Sequence, residues 1–227
     1  MIKVIKNKGS KSDDEECILV ICAHSDDQIF GPGGTVARYA KEGKNVFTII
    51  FSYGEMTHPH YKKELAITTR VKEAQEADKF IGGHGLVFLG IEENKFAEQF
   101  VTKKMYQKLK RIILQHKPSR IFTHSIDDPH PDHRATNKLV LETLDRMKYK
   151  CEVYMFDVWT ILNFKKQHYP KIFVDISSTF KMKVKALKMF ESQKLALTSL
   201  LWSVYFRAWL QGKMDKTKYA EEFYKIR

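Results

Sequence analysis

The sequence is poor in cysteine and contains no long hydrophobic run. Its 227 residues include three cysteines, Cys17, Cys22 and Cys151, and none belongs to a CxxC pair. Neither a disulfide framework nor a structural zinc knuckle is therefore indicated. No stretch approaches the roughly 18 apolar residues of a membrane span, and the N-terminus has no apolar signal-peptide core. These absences favour a protein of the reducing cytoplasm, without a membrane span or cleaved signal.

Phosphate-binding glycine motifs are also lacking. The glycine-rich stretch Gly31–Gly34 fits neither GxGxxG nor a GKS or GKT motif. It could still cradle a phosphate at a helix N-terminus. A tight turn that delivers the residues before it is the simpler interpretation, and we prefer it.

Acidic residues are outnumbered by basic ones, 27 to 39, which gives a net charge of +12. Such a field attracts nucleic acid, anionic membrane surfaces and acidic substrates. The lysines are scattered, however, and the densest cluster, Lys181–Lys188, places them around several sides of a helix. A solvated surface is the preferred interpretation, and nucleic acid is not an expected partner.

Short apolar runs alternate along the chain with helical patterns. Three stripes with a spacing of three or four residues predict helices over Ile67–Ile81, Phe100–Ile113 and Leu139–Met147. The alternation predicts an α/β fold, a mostly parallel sheet flanked by helices, in a single domain over residues 1–227 with a peripheral segment at residues 1–16. The predicted strands are Cys17–His24, Val46–Ser52, Leu86–Gly90, Arg120–Ser125, Val153–Trp159 and Lys171–Ser177.

The pattern after Ser177 is helical almost to the end of the chain. Leu195–Lys213 is unusually apolar and aromatic. It is interpreted as a helix that packs in the core or forms a subunit interface, and the second alternative implies a homo-oligomer.

Two stretches place histidines and aspartates at predicted strand ends. His24 closes the first predicted strand, while His130 and His133 follow the fourth. In an open α/β sheet ligands bind beyond the carboxyl ends of the strands, so both stretches are expected at one edge. A catalytic zinc takes three His or carboxylate ligands and keeps one open position. His24, Asp27 and His133 supply that set.

The remaining residues of the two stretches suggest a hydrolytic mechanism. Asp26 is the candidate general base for a metal-activated water. A protonated His130 would stabilise an oxyanion or protonate a leaving amine. Asp132 would hold an imidazole in the right tautomer. Each stretch alone also has a structural interpretation, with His24 as a core histidine and Asp132 as a helix cap.

The residues from Ala23 to Gly34 resemble the AHPDDE signature of the LmbE-like, PIG-L-type zinc de-N-acetylases, and His130–His133 matches that family's HPDH signature. Thr68–Gly83, Val174–Gln193 and Tyr219–Arg227 are similar to further family segments. The resemblance implies a Rossmann-like α/β domain. The site residues that it implies are the zinc ligands His24, Asp27 and His133, the base Asp26, and His130 supported by Asp132.

The resemblance also implies two substrate contacts. Arg70 falls where the family has an arginine that contacts a sugar, and Glu93 lies near a family aspartate with a similar task. The alternative for Arg70 is a helix-surface salt bridge with Glu73. Substrate choice would depend on loops such as Ser52–Glu64, which carries His58 and His60.

Two residues depart from the family pattern. Ser25 replaces the usual proline, which is expected to loosen the turn without removing a ligand. Gln28 replaces the usual glutamate and removes a negative charge beside the predicted metal cluster. Because an amide can donate and accept hydrogen bonds but carries no charge, the change bears on rate and metal preference more than on reaction type.

The expected function is hydrolysis of an N-acetyl group on an N-acetylglucosamine-containing sugar or conjugate, with release of acetate and a free amine. The expected cofactor is Zn²⁺ or another divalent metal such as Fe²⁺, and the expected partner is a small amino-sugar substrate. A metal-dependent phosphoesterase is an alternative, with Asp127 and Asp128 as extra carboxylates for a second metal. A non-catalytic sugar-binding or nucleic-acid-binding relative is the other alternative, and Gln28 is its best support.

Overall fold

The computed structural model describes residues 5–6, 16–55, 63–102, 104–160 and 168–227. They form one eight-stranded sheet with the order β1-β4-β3-β2-β5-β6-β8-β7. The strands are β1 (Ile5–Lys6), β2 (Cys17–Cys22), β3 (Asn45–Ile50), β4 (Gly85–Phe88), β5 (Arg120–His124), β6 (Glu152–Phe156), β7 (Lys171–Asp175) and β8 (Ala220–Lys225).

The centre of the sheet is parallel. β2 pairs in parallel with both β3 and β5, and the parallel pairing continues from β3 to β4 and from β5 to β6. β8 runs antiparallel between β6 and β7, and β1 runs antiparallel to β4. This arrangement confirms the predicted α/β class with a mostly parallel sheet.

Helices cover both faces of the sheet. Ile18 and Val20 of β2 pack in one hydrophobic cluster with α2, α3, α7 and α8, whereas Leu19 and Ile21 pack in a second with α4, α5 and α6. A strand buried on both faces is a near-continuous apolar run, which explains the sequence of β2. The helices are α1 (Asp27–Phe30), α2 (Gly33–Lys41), α3 (Lys63–Ile81), α4 (Phe96–Thr102), α5 (Met105–His116), α6 (Pro131–Met147), α7 (Phe180–Leu187) and α8 (Lys194–Met214).

The six predicted strands are all present. The elements β1, α1 and α2 were not predicted, and two regions predicted to be helical differ from the sequence-based expectation. The helix predicted over Phe100–Ile113 is divided into α4 and α5, and Lys104 before α5 has a left-handed backbone with φ 51°. β8 lies in the part expected to be helical almost to the end. Glu221 and Glu222 are poor strand formers, and pairing with a strand on each side overrides that preference.

A carboxylate from β8 anchors the glycine-rich turn. Glu221 accepts hydrogen bonds from the backbone N–H groups of Gly34 (2.9 Å) and Thr35 (2.8 Å) at the start of α2. Buried Lys183 donates to the same carboxylate at 2.6 Å. Since Glu221 occupies the place where a phosphate would bind, the phosphate-cradle interpretation is wrong. At Gly31 a Cβ atom would lie 2.3 Å from the Phe156 ring, so this turn requires glycine.

The C-terminal helix α8 packs only partly in the core. Leu197, Val204 and Ala208 are buried, as expected of a core helix. Trp202 and Trp209 are about half exposed, at 59% and 46%, so the subunit-interface interpretation stays a prediction. No helix in the described part of the chain is long and apolar enough to cross a membrane.

Some expectations concern residues that are not described. The predicted peripheral segment, residues 1–16, lies outside the described residues except for Ile5, Lys6 and Glu16. The loop histidines His58 and His60 also lie outside them.

Candidate active site

The two histidine-aspartate stretches meet at one edge of the sheet. β2 and β5 are parallel neighbours, so the loops that follow them leave the sheet side by side. The first loop carries His24 and leads into α1, which begins at Asp27. The second loop follows His124 at the end of β5 and leads into α6, with His130 as its N-cap and proline at its first position.

The three predicted metal ligands surround one point. One ligand atom from each of His24, Asp27 and His133 lies within 4.8 Å of the others. His24 Nδ1 is 3.4 Å from Asp27 Oδ2, and His133 Nε2 is 3.4 Å from Asp27 Oδ1. His133 Nε2 is buried and has no hydrogen-bond partner among the described residues. A buried nitrogen without a hydrogen bond, facing a carboxylate in a His₂Asp set, fits a divalent cation such as Zn²⁺.

The electrostatics of this group favour positive charge. Burial opposes protonation of His24, but Asp132 and Asp27 outweigh it and raise its pKa to about 10. Burial likewise opposes protonation of His133, but Asp27 and Asp128 raise its pKa to about 9. Burial acts against ionisation of Asp27 as well, yet His133 and His124 hold its pKa well below the usual range. A bound cation would supply the charge that these carboxylates attract.

Asp26 lies beside the metal-ligand group and lines the adjoining cavity. Burial raises the pKa of Asp26, and the guanidinium of Arg70 opposes that rise, with its Nη2 atom 3.7 Å from Asp26 Oδ1. A carboxylate with a raised pKa is a better proton acceptor at neutral pH than an ordinary one.

The carboxylate that supports each histidine comes from an unexpected position. Asp132 was expected to hold an imidazole, and the one that it reaches is His24 in the other loop, at 3.3 Å from Nε2. His133 is instead supported by Asp128, whose Oδ1 lies 3.0 Å from Nδ1. Asp128 also accepts the backbone N–H of His130 at 2.9 Å. The sequence interpretation considered Asp128 only as a ligand of a second metal.

His124 is a site residue that sequence reasoning missed. It is fully buried, and its Nε2 accepts the N–H of Ala23 (3.0 Å) and lies 3.2 Å from Asp27 Oδ2. Its ring stacks on that of His133, with centroids 3.8 Å apart. Burial, reinforced by His133, lowers its pKa to about 4. The available signal was a histidine at the end of a second buried strand, matching His24.

Arg70 is a buried residue of the site. Its side chain reaches from α3 to the first loop, where Nε donates to Ser25 Oγ at 3.0 Å. With 2% of its surface exposed, it cannot form the helix-surface salt bridge considered above. Glu73 instead accepts hydrogen bonds from the N–H (2.8 Å) and hydroxyl (2.6 Å) of Ser192.

A cavity of about 290 Å³ opens beside these residues. Its lining combines polar and apolar side chains, which suits a ligand with both polar and apolar groups. The polar wall consists of His24, Asp26, Asp27, Arg70, Glu93, Asn94, His130, Asp132 and Gln193. The apolar wall is formed by Phe30, Val158, Trp159, Leu197 and Leu200. His133 is fully buried behind the polar wall.

Gln28 does not line the cavity. It is fully buried, its Oε1 lies 3.9 Å from the Cys22 thiol, and its Nε2 has no hydrogen-bond partner within the described ranges. The replacement of glutamate by glutamine therefore leaves the cavity wall unchanged.

Comparison with known proteins shows which proteins this chain is similar to. The chain is 26% identical to a diacetylchitobiose deacetylase of Thermococcus kodakarensis, with 92% of this chain and 82% of that protein covered. It is 28% identical to a probable N-acetyl-alpha-D-glucosaminyl L-malate deacetylase 2 of Bacillus cereus, with 81% and 86% covered. The solved structure of an N,N'-diacetylchitobiose deacetylase from Pyrococcus horikoshii superposes with a TM-score of 0.77 at 21% identity, covering 94% of this chain and 84% of that one.

Residues 19–144 match the family described as PIG-L, GlcNAc-PI de-N-acetylase. This range includes both loops and therefore every predicted metal ligand. The match confirms the resemblance drawn from the AHSDDQ and HPDH stretches, and with it the expected class of hydrolytic de-N-acetylase. This chain therefore belongs to the PIG-L family of de-N-acetylases.

Proposed function

We propose that this chain hydrolyses the N-acetyl group of an N-acetylglucosamine-containing sugar or sugar conjugate, using Asp26 as the general base beside a bound divalent metal. The relatives named as diacetylchitobiose and N-acetylglucosaminyl malate deacetylases support an amino-sugar substrate. The observation that carries the proposal is that Asp26 faces a cavity next to the buried group His24, Asp27 and His133. A general base beside a metal site is the arrangement that amide hydrolysis requires.

His24, Asp27 and His133 would hold the metal. Zn²⁺ suits a His₂Asp set with an open fourth position, and Fe²⁺ is the alternative. A metal bound there would polarise the amide carbonyl and lower the pKa of a water molecule toward about 7. Asp128 and Asp132 would orient His133 and His24, because each carboxylate lies 3.0–3.3 Å from an imidazole nitrogen.

Asp26 would take the proton of the attacking water, and His130 would face the oxygen that becomes negative. His130 Nδ1 accepts the N–H of Asp132 at 3.2 Å, so the proton of the neutral imidazole is assigned to Nε2. Burial, with help from His24 and His133, lowers the pKa of His130. This residue would therefore act as a neutral hydrogen-bond donor in the oxyanion step, which differs from the protonated form expected from the sequence.

The cavity walls suggest how the sugar would be held. Arg70 and Glu93 on the polar wall would bind hydroxyl groups, as the resemblance implies. Trp159 on the apolar wall, 45% exposed, offers a flat surface for the less polar face of a sugar ring or its attached group. The cysteines Cys17, Cys22 and Cys151 form no disulfide with one another, which supports the cytoplasm as the compartment in which the enzyme acts.

The alternatives have less support. A phosphoesterase would need carboxylates for a second metal, but within the described ranges Asp127 joins no group of potential metal ligands. Asp128 joins one with His124 and His133, and that group shares His133 with the predicted metal ligands, so it adds no independent second site. A non-catalytic relative would rely on Gln28, which is not a cavity residue.

The test is acetate release from N,N'-diacetylchitobiose and N-acetylglucosaminyl malate by zinc-loaded protein. Asp26→Ala is expected to lower kcat by about 10²–10⁴-fold, the usual contribution of general-base catalysis. Asp145→Ala, which removes an exposed partner of Arg227, is the matched control and should retain wild-type activity. A wild-type protein that binds one zinc per chain but releases phosphate from esters and no acetate would contradict the proposal.

A further inference from the structure

Ser25 occupies the first loop between the predicted metal ligand His24 and the predicted base Asp26. It is fully buried, and its hydroxyl accepts a hydrogen bond from Arg70 Nε. The related signature has proline at this position, which has no hydroxyl. Serine in place of proline was expected to loosen the turn, but the Ser25 hydroxyl adds a contact that links the loop to α3.

We propose that Ser25 is a positioning residue, which fixes the guanidinium of Arg70 in the cavity wall so that it can bind the substrate. The inference rests on the proposed function, because it assigns Ser25 a part in substrate binding at the same site. Arg70 has a long side chain with much rotamer freedom. A hydrogen-bond partner at Nε therefore reduces the conformational entropy that Arg70 would lose when the substrate binds.

A second contact shows that the guanidinium is held closely. Gly54, in the loop after β3, has φ +74°, and a Cβ atom there would lie 2.6 Å from Arg70 Cζ and Nε. The N–H of Gly54 donates to Ser52 Oγ at 3.1 Å, which fixes that loop. The guanidinium is therefore enclosed by the loops after β2 and β3.

The enclosure leaves part of the guanidinium at the cavity. Arg70 lines the cavity although 2% of its surface is exposed, and its Nη2 lies 3.7 Å from Asp26 Oδ1. With Nε engaged by Ser25, the terminal nitrogens are presented in a fixed orientation, which suits recognition of sugar hydroxyls or a carbonyl. Loss of the Ser25 hydroxyl would leave a buried charged donor without this acceptor, and such a donor reorients or recruits water.

The first test requires no substrate. The Nε–H of Arg70 in the zinc-loaded protein, assigned by its loss in Arg70→Lys, should exchange slowly with solvent in NMR spectra. Ser25→Ala should accelerate that exchange at least about tenfold, as expected for loss of a buried hydrogen bond. Thr143→Val, which removes a buried hydroxyl bonded to its own helix, should leave the exchange unchanged. Unaltered exchange in Ser25→Ala would overturn the inference.

The second test separates positioning from a purely structural role. Ser25→Ala and Ser25→Pro should each raise KM about tenfold with kcat changed by less than about threefold, because a contact made equally in ground and transition states affects KM. Ser25→Thr, which keeps a hydroxyl, should restore KM. In an Arg70→Lys background, Ser25→Ala should add little, whereas additive effects would mean that Ser25 does not act through Arg70 and would overturn the inference.

The two tests also separate this inference from the proposed function. If the wild-type protein releases no acetate from any amino sugar, the proposed function fails, while the exchange rates still decide whether Ser25 holds Arg70. If acetate is released and the Ser25 variants match the wild type in KM and in exchange, only the inference fails.

Discussion

The two loops that build the site are stabilised in different ways. In the loop after β2, Asp27 accepts the backbone N–H of His24 at 2.7 Å, so the residue that would bind the metal also closes its own turn. In the loop after β5, His133 is the predicted metal ligand, and a different residue makes the backbone contact: Asp128 accepts the N–H of His130. The first loop therefore combines metal binding and loop structure in one side chain, and the second loop separates them.

The largest expected effect tests that combination in the first loop. Asp27→Asn should abolish tight zinc binding but keep an oxygen that can accept the N–H of His24, whereas Asp27→Ala should lose both. In the metal-free state the Tm of the Ala variant should be about 4 °C below that of the Asn variant, because a buried hydrogen bond is lost. Calorimetry and zinc titration measure the two effects. Equal Tm values would mean that Asp27 does not hold the turn.

The second loop should allow the two roles to be altered separately. Asp128→Asn should weaken zinc affinity by about 10–100-fold, the usual cost of removing a carboxylate that orients a ligand histidine. Competition with a chelator measures the affinity. The control is Asp127→Asn. Asp127 is the adjacent carboxylate, and it joins no group of potential metal ligands within the described ranges. If both variants lose affinity alike, general loop charge explains the result better than the Asp128–His133 contact.

A buried carboxylate outside both loops provides the reference for what burial does without histidine partners. Asp78 on α3 is 2% exposed, and burial raises its pKa to about 7 despite contacts with Gly85 and Thr48. Asp27, equally buried, has a lowered pKa because His133 and His124 are close. The comparison shows that the histidines, not the degree of burial, decide the charge of Asp27.

Asp78→Asn should therefore have a pH-dependent effect on stability. Because the folded pKa exceeds that of the unfolded chain, the folded state binds the extra proton, and the wild type loses stability as pH rises from about 4 to 7. The variant does not titrate, so its stability relative to wild type should rise between pH 5 and 8 by on the order of 2–3 kcal/mol. Urea unfolding at both pH values measures this change. A pH-independent difference would contradict the raised pKa.

Much of the sheet could be predicted from the sequence, because each parallel strand is a short apolar run with helices on both sides. β8 could not be predicted, since Ala220–Lys225 contains two adjacent glutamates and is stabilised by β6 and β7, which are distant in sequence. The break between α4 and α5 at Lys104 also lacks a glycine or proline that would have indicated it.

For the site, spacing within a loop was informative and spacing between loops was not. The placement of His24 and Asp27 in one turn follows from their separation of three residues. The contact of Asp132 with His24 depends on how closely the two loops pack, whereas the contact of Asp128 with His133 lies within the second loop and the start of α6. Local sequence contains no information about the distance between the loops, so Asp132 could be predicted as a supporting carboxylate but its partner, His24, could be identified only from the structure.

The position of β8 has a consequence for the order of events during synthesis. Glu221 on β8 holds the start of α2, just after the loop that carries His24 and Asp27, and it also pairs with Lys183. A nascent chain that has already exposed every predicted metal ligand still lacks this anchor until β8 leaves the ribosome. The start of α2 therefore gains this anchor only after residue 221 has been synthesised, and a chain that stops before it would carry the complete set of predicted ligands without the contacts of Glu221 to Gly34 and Thr35.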